Sequence, residues 1–296
     1  MADHGLFLGC IAPLRFPDIE RASRYVFDKV NGGVEDIDGL GCCPTKASFT
    51  NIDDVTALAL SARNISLAEA EGKDLVTICN GCFSILAEAK YELDHDPEKR
   101  EQVDEVLATV GRTYKGSTKV LHFVEFLHKD VGISKISSTV KHSLHGMRLA
   151  IFHGCHYLRP SDVLGTDDPE DPQKINEIVS ALGGKSVPWI GQLDCCGAGG
   201  GLRAREPDTA LTILEDRIKA IKDAEVDAIV TPCPFCFLQI DLGQDALREK
   251  GADYSIPVFH LSQLMALAQG AKAGEVARMS KTPRQSVINA IQGDGQ

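Results

Sequence analysis

The chain has 296 residues and a formal net charge of −11; 43% of its residues are apolar and 25% are charged, as in an ordinary globular protein large enough for two domains. The negative charge argues against nucleic acid as the main partner, because phosphate binding needs a basic surface. The sequence shows no secretory leader and no stretch of about 18 apolar residues, so we expect a cytoplasmic protein without a membrane span.

Taken in chain order, the first half alternates strands and helices. A short apolar run predicts a buried strand at 6–9, and Pro17 starts a predicted helix that ends near Val30. Asn51 is the predicted N-cap of the next helix. The other predicted elements of this half are strands at 34–40, 75–78 and 119–121, a helix after the second of these strands, a polar helix at 97–110 and a helix at 122–129.

The second half repeats this order with a period of about 150 residues. Strands are predicted at 149–152, 186–189, 228–230 and 258–260, and a helix is predicted to start at Pro207. Strands that alternate with helices indicate an α/β fold. We therefore predict two tandem pseudo-symmetric α/β domains with mostly parallel sheets, at 1–146 and 147–268. The tail at 269–296 is more basic than acidic, which favours a partner-docking segment, with a frayed terminus as the alternative.

All ten cysteines follow the same repeat. Each half contains a single cysteine, an adjacent pair and a C-x-x-C. These are Cys10, Cys42, Cys43, Cys79 and Cys82 in the first set, and Cys155, Cys195, Cys196, Cys233 and Cys236 in the second. Four of them sit at or just past predicted strand ends, and ligands of open parallel sheets bind at the carboxyl ends of strands. We therefore expect each domain to gather five sulfurs into a cluster site at that edge.

Spacing alone leaves several chemistries open for these sites. Cysteines that only pack would not repeat in order, and structural disulfides are rare in the cytoplasm. A structural zinc ion takes four ligands, and a thioredoxin-like C-x-x-C leaves three cysteines of each set unexplained. Five thiolates, two of them adjacent, favour an iron–sulfur cluster larger or more open than a cubane, with zinc and thiol redox chemistry as alternatives. A helix starting after each C-x-x-C would direct N–H groups toward the anionic cluster.

Five motifs carry a resemblance to a known family. They are Phe7-Leu8-Gly9-Cys10-Ile11, Cys79-Asn80-Gly81-Cys82-Phe83, Gly154-Cys155-His156, Cys195-Cys196-Gly197-Ala198-Gly199-Gly200-Gly201 and Thr231-Pro232-Cys233-Pro234-Phe235-Cys236. Together they resemble the B subunit of heterodisulfide reductase, with its repeated cysteine-rich CCG domain, over roughly residues 5–268. The chain departs from the domain's name at Pro44, which follows the first cysteine pair in place of glycine.

The resemblance implies a disulfide oxidoreductase with two noncubane 4Fe-4S clusters, each held by the five cysteines of one set. Its implied substrate is the coenzyme M–coenzyme B heterodisulfide, which is reduced to the two thiols. The implied partners are the ferredoxin-like C subunit and the flavin-containing A subunit of heterodisulfide reductase, and a hydrogenase or formate dehydrogenase is a further candidate. Alternatives are an iron–sulfur subunit of a 2-hydroxy acid or glycerol phosphate oxidising or sulfur-oxidising complex, and a non-catalytic electron relay.

Histidines and basic residues near the cysteines are candidates for proton transfer and substrate binding. His153 and His156 flank Cys155 and are candidate proton donors to a departing thiolate. His122 and His260 end matching strands, and we predict a packing or capping role for them. The implied substrate carries a sulfonate and a phosphate, so nearby cations are candidates to bind it: Lys46, Arg159, Arg203 and Arg205.

Overall fold

The strands form two four-stranded sheets in the computed structural model, which describes residues 3–45 and 52–293. The first sheet has the order β2-β1-β3-β4 and the second the order β6-β5-β7-β8, and every pairing is parallel. The strands are β1 (His4–Phe7), β2 (Val34–Glu35), β3 (Asp74–Thr77), β4 (Val120–His122), β5 (Arg148–Ile151), β6 (Lys185–Ser186), β7 (Ala228–Thr231) and β8 (Val258–His260). The predicted tandem α/β fold with parallel sheets is confirmed.

Helices connect the strands and cover the sheets. In the first half they are α1 (Ile11–Arg15), α2 (Pro17–Lys29), α3 (Asp54–Glu71), α4 (Asn80–His95), α5 (Pro97–Ala108), α6 (Phe123–Glu125), which continues as a π-helix (Phe126–Val131), and α7 (Ile133–Ser138). In the second half they are α8 (Cys155–Leu158), α9 (Ser161–Leu164), α10 (Lys174–Ala181), α11 (Leu202–Arg205), α12 (Pro207–Asp223), α13 (Pro234–Glu249), α14 (Leu261–Ala268), α15 (Ala273–Val276) and α16 (Gln285–Gln292).

Two of the strands are shorter than predicted. The predictions at 34–40 and 186–189 were too long, because only Val34–Glu35 and Lys185–Ser186 pair with a neighbouring strand. Trp189 leaves the ladder and donates its indole N–H to the carbonyl of Ile151 at 3.1 Å. Its apolar bulk is buried by side-chain packing, so an apolar run at a sheet edge overstates the length of the strand.

Polar side chains cap several helices, and the residue that caps α3 differs from the predicted one. The predicted cap Asn51 lies outside the described residues, and Asp53 caps α3 by accepting the N–H of Thr56 at 3.1 Å. His122 and His260 each cap the helix that follows their strand, through Nδ1. The predicted packing or capping role of these two histidines is therefore confirmed. Burial lowers the pKa of His122 to about 3 and that of His260 to about 4, so both rings are neutral at pH 7.

The two repeats exchange their last helices. Helix α14, which follows the last strand of the second sheet, packs on α2 of the first repeat, and the hydroxyl of Ser23 donates to Ser262 at 3.0 Å. Helices α6 and α7, which follow the last strand of the first sheet, pack on α10 of the second repeat. The buried apolar residues of both halves consequently form one contiguous core. With the helices exchanged in this way, the carboxyl ends of the strands in the two sheets lie close to each other.

A buried carboxylate ties the repeats together at one point of this interface. Glu125 of the first repeat, only 4% exposed, accepts the phenolic hydroxyl of Tyr157 at 2.8 Å. The ammonium of Lys174 donates to both carboxylate oxygens at 2.8 Å, and the more exposed Lys129 reaches the same group. Hydrogen bonds on both oxygens compensate the loss of hydration of the charge.

The C-terminal residues up to 293 are folded. Val287, Ile288 and Ile291 of α16 are buried, and Arg284 is 5% exposed with its guanidinium over the rings of Phe237 and Phe259. The alternative of a frayed terminus is therefore wrong for residues 269–293, whereas a role in docking stays a prediction. Within the described residues, no helix combines the length and apolarity required to cross a membrane.

Candidate functional site

The cysteines lie where each sheet changes direction of winding. From β1 the chain moves to β2 on one side, and from β2 it crosses to β3 on the other, so the carboxyl ends of β1 and β3 flank the switch point of the first sheet. Cys10 follows β1 and Cys79 follows β3. Cys155 and Cys233 hold the same places after β5 and β7 of the second sheet. Open α/β sheets bind ligands at such points, so the topology assigns one site to each repeat.

Side-chain contacts join the ten sulfurs into one unbroken row. Cys43 Sγ lies 3.2 Å from Cys82 Sγ, and Cys79 Sγ of the first set lies 3.7 Å from Cys233 Sγ of the second. Contacts within each set complete the row, whose order is Cys10, Cys42, Cys43, Cys82, Cys79, Cys233, Cys236, Cys196, Cys195 and Cys155. Followed from either end, the row passes the single cysteine, then the first and second cysteines of the adjacent pair, and then the last and first cysteines of the C-x-x-C. The two predicted sites therefore adjoin at their C-x-x-C motifs.

A glycine before the first cysteine of each set lets the backbone approach the last sulfur of that set. Gly9 has φ +67°, and a Cβ there would lie 2.7 Å from Cys82 Sγ. Gly154 has φ +78°, and its Cβ would lie 3.3 Å from Cys236 Sγ and 2.4 Å from the amide nitrogen of Asn80. A side chain would fill both positions, so these glycines keep room for the sulfurs and for what they bind.

Backbone donors face the sulfurs, as a set of thiolates requires. Cys79 and Cys233 are the N-cap residues of α4 and α13, where the positive end of the helix dipole favours anions. The N–H of Gly197 donates to Cys195 Sγ at 3.3 Å. A hydrogen bond from the Cys155 thiol, followed by those from Cys196 and the backbone, lowers the pKa of Cys195 to about 2. Hydrogen bonds within the row and burial raise the pKa of six other thiols, because each further negative charge is disfavoured beside the others. Bound metal cations would favour the thiolate, which is the form that binds iron or zinc.

The donor set fits a polynuclear centre in each repeat. Among the described residues, which include all ten cysteines, no three His, Cys, Asp or Glu side chains converge as they would around one ion. The sulfurs are instead spread along a row, and most are buried. Thiolates spread in this way, with N–H groups directed at them, suit the several irons of a cluster better than the tetrahedral shell of one zinc ion.

A cavity of about 300 Å³ opens between the two repeats beside the sulfur row. Its walls are mainly apolar and come from both halves of the chain. The first repeat contributes Leu8, Cys10, Ile11, Ala12, Cys43, Thr45, Cys79, Gly81, Cys82 and Ile85, and the second contributes His156, Gly199, Gly200, Gly201, Pro234 and Phe235. A largely apolar cavity with few polar groups is the usual form of a small-molecule site.

Among the described residues, His156 is the titratable side chain other than cysteine that lines this cavity. Its Nδ1 lies 3.1 Å from the hydroxyl of Ser84, which donates in turn to the carboxylate of Glu88 in a short hydrogen bond. Ser84 and Glu88 stand one turn apart on α4, so the first repeat holds a histidine of the second. His153 is 2% exposed and does not line the cavity, and burial lowers its pKa to about 4. The structure therefore separates the two candidate histidines.

The candidate basic residues have different surroundings. Arg159 turns away from the cavity and pairs with Glu170 at 2.9 Å. Arg205 is exposed, and Lys46 lies outside the described residues. Arg203 is partly buried on α11, next to the glycine run that lines the cavity. Closeness to a cysteine in the sequence did not show which of these basic residues lies near the cavity, because a long side chain can point toward the cavity or away from it.

Sequence reasoning missed the residues that hold the site together across the repeats. Asn80 lies inside the first C-x-x-C and donates its amide N–H to the carbonyl of His153 at 2.8 Å. Ser84 and Glu88 follow the same motif on α4. Their spacing of four residues put them on one helix face, but nothing in the sequence showed that this face meets His156.

A family model and two curated proteins agree on the family to which this chain is similar. Residues 4–87 and 149–241 match the cysteine-rich domain family, abbreviated CCG, so the matches fall one in each repeat. The chain is 43% identical over 277 residues to the B subunit of the ferredoxin/F420H2-dependent CoB-CoM heterodisulfide reductase of Methanosarcina acetivorans, covering 93% of this chain and 92% of that one. It is 37% identical to a protein of Archaeoglobus profundus that is named as similar to the heterodisulfide reductase B subunit, covering 98% of both chains.

One further relative and one solved structure widen the comparison. The 8-methylmenaquinol:fumarate reductase membrane anchor subunit of Wolinella succinogenes is 31% identical over 93% of this chain and 94% of its own length. A crystal structure of a hypothetical protein from Helicobacter pylori superposes with a TM-score of 0.72 at 17% identity, covering 94% of this chain and 51% of that one. The chain thus spans about half of that solved protein, and the likeness shows the fold.

Proposed function

Because the chain belongs to the cysteine-rich CCG domain family and shares most of its length with heterodisulfide reductase B subunits, we propose that it reduces the coenzyme M–coenzyme B heterodisulfide to its two thiols. In this proposal two noncubane 4Fe-4S clusters are bound, one by the five cysteines of each set. The observation that carries the proposal is the single sulfur row beside one cavity. Four cysteines of the first set line that cavity, and the second set adjoins them where Cys233 Sγ lies 3.7 Å from Cys79 Sγ.

Reduction of a disulfide to two thiols takes two electrons and two protons. The clusters, when bound, supply the electrons one at a time, so no protein nucleophile is required. The chain's own residues bind the substrate, exclude water with the apolar walls of the cavity and provide protons. The electrons come to this chain from partner proteins, for which we propose the ferredoxin-like C subunit and the flavin-containing A subunit of heterodisulfide reductase. A cytoplasmic location belongs to the same proposal.

We assign the proton donation to His156. Its Nδ1–H donates to Ser84, because the hydroxyl of Ser84 donates to Glu88, and this chain of hydrogen bonds orients the ring. The other ring nitrogen is on the side of the glycine run, where a Cβ on Gly199 would lie 4.0 Å from it. His153 lacks access to the cavity, and its low pKa keeps the ring neutral.

Replacing His156 with alanine should slow heterodisulfide reduction by roughly a hundredfold while leaving the iron content unchanged, because a positioned general acid contributes about 10² to 10⁴ in rate. The measurement is steady-state turnover together with iron per chain. His95→Ala is the control, since His95 is exposed and stacks on Tyr91 away from the cavity. Wild-type turnover in the His156 variant would rule out this assignment.

The cluster assignment is tested by anaerobic purification with iron counting and EPR. We expect about eight irons per chain and a paramagnetic signal that changes when the half-reduced protein is titrated with the heterodisulfide. Stoichiometric zinc in place of iron, or iron without any response to the heterodisulfide, would contradict the proposal.

A second candidate keeps the iron–sulfur centres and changes the reaction. The Wolinella relative is named as a subunit of an 8-methylmenaquinol:fumarate reductase, so the same architecture occurs in another oxidoreductase. Under this alternative the chain passes electrons within a complex that oxidises a 2-hydroxy acid, glycerol phosphate or a sulfur compound. Full iron content, reversible reduction and no heterodisulfide turnover would favour it.

A further inference from the structure

The adjacent cysteine pairs of the two repeats differ in the residue that follows them. Cys42 and Cys195 hold the same place in their sets, and the residue two positions on is Pro44 in the first repeat and Gly197 in the second. The N–H of Gly197 donates to Cys195 Sγ at 3.3 Å. Proline has no N–H, so the first repeat lacks the corresponding donor in any side-chain conformation of Cys42. This backbone donor to a sulfur therefore belongs to the second set alone.

The sulfur at the matching place in the first set meets the opposite kind of backbone group. Cys42 Sγ lies 3.1 Å from the carbonyl oxygen of Cys43, to which the thiol donates. A thiolate in that place would face the negative end of a peptide dipole, whereas a thiolate at Cys195 faces the positive end of one. Solvent does not offset this difference, because matching cysteines are buried alike: Cys42 and Cys195 are both exposed, and both C-x-x-C pairs are buried.

A side-chain amide adds to the difference between the sets. The point that a Cβ on Gly154 would occupy lies 2.4 Å from Asn80 Nδ2 and 3.3 Å from Cys236 Sγ. An amide of the first repeat thus stands beside the last sulfur of the second set. At the matching place in the first set, a Cβ on Gly9 would meet the sulfur and the ring of Phe7. The counterpart of Asn80 in the second C-x-x-C is a proline, whose side chain has no donor to offer in return.

We propose that the two cluster sites are electronically unequal and that the centre of the second set is reduced first, because Gly197 and Asn80 provide N–H donors at its sulfurs while Pro44 removes one from the first set. Hydrogen bonds to the sulfurs are among the factors that set the reduction potential of an iron–sulfur cluster. Such donors stabilise the more negative, reduced form more than the oxidised form, so they raise the potential. The order of reduction rests on the proposed function, since it presumes the two clusters assigned there.

The order is tested by an anaerobic redox titration of the iron-loaded protein, followed by EPR. The wild type should show two one-electron steps. At any given potential, the ratio of reduced to oxidised centre should differ between them by at least about tenfold, which is about 59 mV for one electron. Pro44→Gly supplies the missing N–H, so it should move the lower step toward the higher one and leave the higher step in place, with unchanged iron content.

Pro44→Ala supplies the same N–H without the added backbone freedom of glycine, and it should give the same shift. Pro207→Ala is the control and should leave both steps unchanged, because Pro207 is exposed at the first position of α12 and does not line the cavity. Coinciding steps in the wild type, or a lower step that neither Pro44 variant moves, would overturn the order of reduction. Two separated steps without heterodisulfide turnover would support the order and count against the proposed reaction, whereas turnover with coinciding steps would overturn the order alone.

Discussion

Gly154→Ala should lose the iron of the second site, so that iron per chain falls from about eight to about four. The left-handed backbone at this position, with φ +78°, already disfavours a side chain. The added Cβ would also lie 2.4 Å from the amide nitrogen of Asn80 and 3.3 Å from Cys236 Sγ. Asn80 must shift to relieve the first contact, and the same nitrogen would then lose its hydrogen bond to the carbonyl of His153 across the repeat interface. Cys236, a ligand of the second cluster in the proposed assignment, must also move by a few tenths of an ångström.

The matched control is Gly132→Ala in the first repeat. Gly132 has φ +85° and ψ 147°, close to the φ +78° and ψ 133° of Gly154, and nothing lies within 4 Å of its Cβ position, so it shares the backbone strain without the collision. We expect its iron content to equal that of the wild type, measured by iron analysis and by EPR after anaerobic purification. A full complement of iron in Gly154→Ala would show that the close backbone approach is not required.

Lys174→Met should destabilise the protein by about 1.5 to 3 kcal/mol, because it removes the buried ammonium from the carboxylate of Glu125 and leaves the exposed Lys129 and the hydroxyl of Tyr157 as its partners. Both oxygens of that carboxylate lose the ammonium donor that now lies at 2.8 Å. At about 2.1 cal/mol/K per residue, the change corresponds to a fall in melting temperature of roughly 2–5 °C. The measurement is thermal unfolding of the iron-loaded protein under anaerobic conditions.

Lys129→Met is the matched control, since both lysines pair with the same carboxylate. The side chain of Lys129 is 56% exposed and that of Lys174 is 13% exposed, so water can replace the first but not the second. We expect Lys129→Met to cost less than about 1 kcal/mol. Adding Glu125→Gln to Lys174→Met should restore part of the loss by removing the buried charge. Equal destabilisation by both lysine variants would contradict this account.

The sequence by itself determined the fold class and the inventory of the site. Buried runs of β-forming residues, helix starts and the repeated cysteine order are local signals, so they were readable before any contact was known. The strand at 258–260 was predicted at its observed bounds, and His122 and His260 were predicted in their capping role. The family resemblance rested on the same local motifs and agrees with the relatives.

Tertiary structure alone decided how the two sets meet. The exchange of helices between repeats brings Cys79 within 3.7 Å of Cys233 although they are 154 residues apart, and it brings Ser84 to His156. It also decided that His156 lines the cavity while Arg159 pairs with Glu170. Local sequence sets backbone conformation, but the direction of a long side chain and the packing of one repeat on the other depend on contacts distant in the chain. For that reason the cysteines could be predicted as ligand sites, whereas the single sulfur row and its shared cavity could not.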